Sequence, residues 1–155
     1  MRHDALGEQN CSIGRTVAVL GERWTFVILR QAFLGARRFE DFQRGTGVAR
    51  NVLSDRLRSL VDNGVLRRLP YQDHPPRSEY RLTAKGRDLY PVLVALMQWG
   101  DRHAGLEQGP PIVLHHETCG HRADPRLVCD ACGEDIDPRE MRAEVAADAA
   151  PVATA

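Results

Sequence analysis

Two short stretches near the C-terminal end carry side chains that bind metal: His116-Glu117-Thr118-Cys119-Gly120 and Cys129-Asp130-Ala131-Cys132-Gly133. Each reads ligand-x-x-ligand-Gly, and nine residues separate the two pairs. Two such turns supply the four soft or borderline ligands of a tetrahedral zinc ion. A glycine after the second ligand lets the backbone fold round the ion with no Cβ in the way. His116, Cys119, Cys129 and Cys132 are therefore the expected ligands of a structural Zn2+. Four protein ligands leave no open position, so such a site would do no catalysis. His115 and His121 compete with His116 for the fourth place, but only His116 gives matched pairs. A redox pair at Cys129/Cys132 is a competing reading, and it wants a thioredoxin-like βαβ context that the chain lacks. Free thiols are the plainest alternative.

A second set of residues has the types that read duplex DNA. Leu53, Leu57, Leu60 and Val61 fall at i, i+4, i+7 and i+8, one apolar stripe of a helix. Arg50, Asn51, Ser54, Asp55 and Arg58 lie away from it. A helix that packs one face and offers short polar and Arg side chains on the other can meet base edges in a major groove. Arg50, Asn51, Ser54 and Asp55, near the helix start, suit base edges; Arg56 and Arg58 suit phosphates. Arg67, Arg68, His74 and Arg77 flank a following hairpin and could set it against the backbone or the minor groove. The competing reading is an ordinary solvated helix face. The turn, the hairpin and the charge distribution together tell against it.

The chain has 155 residues and zero net charge, which alone argues against a DNA binder. The distribution removes the objection. Residues 1–103 hold 17 Arg/Lys against 11 Asp/Glu, and residues 104–155 hold 4 against 10, so a +6 body precedes a −6 tail. Only the body is suited to phosphates. All its basic residues but Lys85 are arginine, whose planar fork suits phosphate and guanine edges. A codon-composition bias is the duller explanation.

The elements that must position these residues follow from periodicity and punctuation. Residues 1–10 read as a flexible N-terminus, and 11–20 as a short helix stopped by Gly21. Residues 22–34 (Trp24, Phe26, Val27, Ile28, Leu29, Ala32, Phe33, Leu34) read as a helix apolar on most sides, hence buried in a core or an interface, and ended by Gly35. Phe39 and Phe42 give a short helix its inward face before a Gly45-Thr46-Gly47 turn. The polar-faced helix spans about 49–63 and closes at Asn63-Gly64. Val65–Tyr71 and Ser78–Leu82 read as two strands, with Tyr80 and Leu82 inward and Pro75-Pro76 in the connecting loop. Thr83 is the expected N-cap of a long helix over about 84–103. Its expected stripe is Leu89, Val92 or Leu93, Leu96 and Gly100, with a kink at Pro91. The domain reading is 11–104 for the helical body, 105–111 for a linker, 112–142 for the Cys/His module, and 143–155 for a disordered tail poor in apolar bulk. Ile112–Leu114 and Leu127–Val128 would be short strands feeding the module. No apolar run reaches the length of a membrane span and the N-terminus has no apolar h-region. The expected location is therefore the cytoplasm, where paired cysteines hold metal more often than they form disulfides.

The fold class expected is mainly α with a small β-wing: a winged helix-turn-helix followed by a small zinc-ribbon-like module. Seven segments between residues 11 and 100 resemble the HxlR-type family of winged-helix transcriptional regulators, relatives of the MarR type. They are Cys11-Ser12-Ile13, Gly21-Glu22-Arg23-Trp24-Thr25, Arg38-Phe39-Glu40-Asp41-Phe42, Leu53-Ser54-Asp55-Arg56-Leu57, Asp62-Asn63-Gly64-Val65-Leu66-Arg67-Arg68, the run Pro75 to Gly86, and Trp99-Gly100. The resemblance implies a homodimer, joined by the terminal helices, on a palindromic operator in double-stranded DNA. The chain departs from the family at Arg23, where members commonly have Lys, and at Ala49, where they often begin the recognition helix with Ser. The missing cap suggests a helix start elsewhere, at Thr46. Some members sense oxidants or electrophiles through a Cys near Cys11, and a helix N-terminus favours an anion such as a thiolate; a structural thiol is the alternative.

The sequence thus predicts a dimeric, sequence-specific DNA-binding regulator, a repressor released by a small-molecule or redox signal. A winged-helix protein–protein module with no specific DNA site is the alternative. No Ser/His/Asp order, phosphate loop or carboxylate pair supports an enzyme.

Overall fold

The computed structural model describes residues 7, 8, 10–105 and 107–144. The flexible start expected for residues 1–6 and 9, and the tail from residue 145 onward, lie outside them. The described residues divide into two compact units, one up to Leu93 and one from Val94 to Glu144. The division falls inside the last helix rather than in the 105–111 segment.

The first unit opens with helix α1, Ser12–Leu20, whose N-cap is Cys11: Gly14 N–H donates to Cys11 Sγ at 3.3 Å. Helix α2 spans Thr25–Phe33, shorter than the expected 22–34 because residues 22–24 form a separate turn, with Thr25 N–H donating to Glu22 O. Helix α3 spans Phe39–Thr46. Asp41 accepts from Arg38 N–H at 3.1 Å, the half of a capping box that an arginine N-cap, having no side-chain acceptor, permits. The expected Gly45-Thr46-Gly47 turn is one residue wide at this end: Gly45 and Thr46 are still helical, and Gly47 alone takes the left-handed conformation, at φ 67°.

Helix α4 spans Arg50–Asp62. Its N-cap is Ala49, so the expected start at Thr46 is corrected. The Thr46 hydroxyl is committed elsewhere: it donates to Phe42 O and accepts from Val48 N–H. Strands β1 (Leu66–Gln72) and β2 (Arg77–Leu82) pair antiparallel with Leu66 opposite Leu82 and Arg68 opposite Tyr80. Tyr80 N–H donates to Arg37 O at 2.7 Å, fastening the hairpin to the segment before α3. The core is Leu20, Ile28, Leu29, Ala32, Phe42, Val48, Leu53, Leu57, Leu60, Val65 and Leu66. The predicted stripe of α4 supplies three of these. Burying each such side chain contributes about 1.5–3 kcal/mol before chain entropy is set against it.

The single long helix expected over 84–103 is two. Thr83 does cap the first, α5 (Ala84–Arg87), by accepting from Gly86 N–H at 3.1 Å. Residues 88 and 89 break the run, and α6 spans Tyr90–His103. Pro91 therefore lies in the first turn of α6, where its missing N–H is no loss, and produces no mid-helix kink. Leu89 and Leu93 pack toward the core, whereas Val92 and Leu96 are exposed.

In the second unit, residues 112–142 form two small hairpins. The strands expected at 112–114 and 127–128 are reduced to isolated bridges, His115 with Arg122 and Val128 with Asp135. Gln98 of α6 fastens this unit internally, its amide donating to Asp124 Oδ1 and Pro125 O at 2.6 and 2.7 Å.

Candidate nucleic-acid interface and Cys/His hairpins

Helix α4 is held by its buried stripe, so the opposite face is fixed in space. Arg50, Asn51, Asp55 and Arg58 are exposed on that face, and Ser54 is half-buried. Arg50 is already oriented. Its guanidinium lies 4.8 Å over the Phe39 ring and donates to Gln43 Oε1 at 2.9 Å. These contacts tie the first residue of α4 to α3. Arg58 pairs with Asp55 at 3.4 Å, an exposed ion pair worth well under 1 kcal/mol and readily exchanged.

Arg56 differs from its neighbours. Its side chain is 26% exposed and its Nη1 lies 3.6 Å from Glu22 Oε2, in the turn before α2. This contact ties α4 to the turn before α2, so a phosphate would have to compete with it.

The hairpin carries the rest. Arg67, His74 and Arg77 are exposed. Arg68 Nε donates across the hairpin to the Ser78 hydroxyl at 3.0 Å. Three residues that the sequence reading missed organise this face. Gln43 orients Arg50; Glu79 accepts from Arg81 and pairs with Arg38; Arg38 also stacks on Tyr71 at 4.8 Å. None of the three carried a sequence signal for its role, since the folded chain sets their partners.

The C-terminal end of α4 is pinned by the segment after the hairpin. Lys85 Nζ donates to Asn63 O, and the Thr83 hydroxyl donates to Gly64 O at 2.6 Å. Gly86 must lack a side chain, because a Cβ there would collide with the Val65 carbonyl oxygen.

In the second unit the structure brings the predicted ligands together as two pairs. His116 Nδ1 lies 3.3 Å from Cys119 Sγ. Cys129 and Cys132 are within hydrogen-bond reach: the Cys132 N–H, then the Ala131 N–H, then the Cys132 thiol hold the Cys129 thiol below the ordinary cysteine pKa. Among the described residues no three His, Cys, Asp or Glu side chains are gathered as a ligand group. Cys11 is a free thiol, half-buried at the start of α1.

A family profile described as HxlR-like helix-turn-helix matches residues 19–108. An HTH-type transcriptional regulator of Mycobacterium tuberculosis strain H37Rv is 53% identical over 133 residues, 86% of this chain and 84% of its own. Among solved structures, PA1607, a candidate transcription factor, matches with TM-score 0.80 and 33% identity over 90% of this chain and 98% of its own. That coverage exceeds the winged helix, so the match runs into the second unit. The redox regulator HypR in its reduced form matches with TM-score 0.57 and 29% identity over 61% of this chain and 95% of its own. No described helix is long and apolar enough to cross a membrane.

Proposed function

The chain belongs to the HxlR-like helix-turn-helix family and is a DNA-binding transcriptional regulator rather than an enzyme; from that premise we propose that it acts as a homodimeric repressor on a palindromic operator, released by a small-molecule or redox signal. The observation that carries the reading is the division of α4: Leu53, Leu57 and Leu60 are buried while Arg50, Asn51, Asp55 and Arg58 face solvent. A helix so divided presents a fixed polar row to a major groove. Arg67 and Arg77 on the hairpin then supply phosphate contacts beside it.

The dimer has its own support. Ile13 and Val17 on α1 are 75% and 40% exposed, and Val92, Leu96 and Trp99 on α6 are 42%, 47% and 60% exposed. The α6 residues recur at i, i+4 and i+7, one face of one helix. Exposed apolar rows of this kind mark association surfaces. A second copy would supply the second reading helix that a palindrome needs. The redox arm rests on Cys11 and on the likeness to HypR.

Selection of bound sequences from a random DNA pool tests the reading. The expected outcome is a palindrome whose half-sites lie about one helical turn, ~10 base pairs, apart. Recovery of no enriched sequence, with a steep loss of binding as salt rises, would leave only non-specific DNA contact and reject the operator. Binding indifferent to salt would point to a protein-binding module instead.

A further inference from the structure

We propose that residues 112–142 bind one zinc ion through His116 Nδ1 and the Sγ atoms of Cys119, Cys129 and Cys132, and that this ion takes the place of a hydrophobic core in the second unit. The geometry behind it is an internal repeat at an offset of 13 residues. His116 N–H donates to His121 O at 2.9 Å, and Cys129 N–H donates to Glu134 O at 2.8 Å. Ala123 N–H donates to Leu114 O at 2.8 Å, and Ile136 N–H donates to Leu127 O at 3.0 Å. Gly120 N–H donates to His116 O and Gly133 N–H to Cys129 O, at 2.7 and 2.8 Å. The bridges repeat at the same offset, His115 with Arg122 and Val128 with Asp135. Gly120 and Gly133 both take the left-handed conformation, at φ 72° and 78°.

Two hairpins with the same hydrogen bonds but different sequences point to a shared demand on the backbone. Equivalent positions share Leu114 with Leu127, the carboxylates Glu117 and Asp130, and the ligand pair, in which His116 matches Cys129 and Cys119 matches Cys132; of these only the ligand pair suits a soft or borderline metal. The repeat also decides among the histidines. His115 and His121 are equivalent to Val128 and Glu134, which are not soft ligands, so His116 alone occupies a ligand position. In each hairpin the pair sits in the turn closed by the glycine, with its members at i and i+3.

The second observation is the lack of a core. No described residue from 95 to 144 is buried. Val113, Leu127, Val128, Ile136 and Met141 stay exposed. A module of some 30 residues without a core needs a cross-link, and a structural metal is one of the few available. Free cysteines exclude a disulfide as that link in this structure. Three thiolates and one imidazole form the closed tetrahedral set that zinc prefers over harder divalent ions. Binding the ion releases the three thiol protons to solvent and draws into one group the two pairs, which are not gathered in this structure among the described residues.

The full chain, expressed and purified without chelator, tests this by metal analysis. About one zinc per chain is expected. Cys119→Ala, Cys132→Ala and His116→Ala should each lose at least nine-tenths of it at submicromolar free zinc, whereas His115→Ala and His121→Ala should keep it. Because a ligand variant can simply unfold the module, the wild-type chain refilled with Co2+ gives a second readout. A tetrahedral visible spectrum with thiolate charge-transfer bands is expected. Less than half an equivalent of zinc, a six-coordinate cobalt spectrum, or bound iron in its place overturns the proposal. Loss of metal in His121→Ala or His115→Ala but not in His116→Ala overturns the ligand assignment. None of these outcomes depends on operator binding.

Discussion

The ammonium of Lys85 lies 2.9 Å from the carbonyl oxygen of Asn63, the residue that ends α4. The pair spans 22 residues and crosses the whole hairpin. A cation at a helix C-terminus meets the negative end of the helix dipole and satisfies a carbonyl that has no partner inside the helix. The Thr83 hydroxyl does the same for Gly64. The segment Thr83-Ala84-Lys85-Gly86 therefore links the end of the hairpin to the end of α4.

Lys85→Ala is expected to lower unfolding stability by about 1 kcal/mol, since the contact is exposed and partly screened. Thr83→Val should cost more, about 1–3 kcal/mol, because it removes both the cap of α5 and the bond to Gly64. Urea unfolding followed by circular dichroism measures both. Equal losses in the two variants would show that the Thr83 contacts carry no extra weight.

Ala49→Ser is expected to raise stability by about 0.5–2 kcal/mol, because α4 begins without a side-chain cap. Its first-turn N–H groups are then left to other acceptors, and a DNA phosphate is a natural one. The same substitution should therefore weaken operator binding modestly while raising the melting temperature. Thermal unfolding and a fluorescence-anisotropy titration on one preparation separate the two effects. A tighter complex would mean that no phosphate uses this helix end.

Asn51→Ala and the double variant Arg67→Ala/Arg77→Ala are expected to fail in different ways. Asn51 is exposed one residue into α4, where its amide can meet an adenine edge; its loss should cost about 1–3 kcal/mol on the operator and relax the preference at one base position. Arg67 and Arg77 are exposed on the hairpin with no side-chain partner among the described residues. Their loss should weaken binding to all sequences alike and reduce the salt slope by about two. Measuring Kd at several salt concentrations on operator and scrambled DNA distinguishes them. A salt slope unchanged in the double variant would remove the hairpin from the interface.

The residues behind these expectations were unequally legible in the sequence. The stripe Leu53, Leu57, Leu60 could be read because helical burial has a period, and the hairpin because Pro75-Pro76 cannot donate to a ladder. Arg56 was read as a phosphate contact because its position on the wheel is all that the sequence reveals; its partner, Glu22, is 34 residues away and only the folded chain brings them together. The same holds for Gln43 and Arg50. Pro91 was expected to kink a helix because the break at residues 88 and 89 carries no Gly or Pro of its own. The division of residues 89–96 between core-facing Leu89 and Leu93 and exposed Val92 and Leu96 was likewise hidden, since apolar side chains look alike whether they face a core or solvent.

Cys11 offers the test of the redox arm. Its Sγ accepts the Gly14 N–H at 3.3 Å and so caps α1, the helix that carries exposed Ile13 and Val17. Oxidation or alkylation of the sulfur adds bulk at the cap, and losing the cap costs about 1 kcal/mol at the start of a short helix. If that helix helps to join two copies, modification loosens the dimer and with it the spacing of the two reading helices. Complete modification of Cys11, verified by peptide mass spectrometry, is therefore expected to weaken operator binding at least tenfold. Cys11→Ser keeps a capping oxygen and removes the thiol, so it should bind the operator normally and ignore the oxidant. Unchanged affinity after full modification of the wild-type chain would show Cys11 to be a structural cap only, and a sensitivity that survives in Cys11→Ser would place the responsive thiol among Cys119, Cys129 and Cys132.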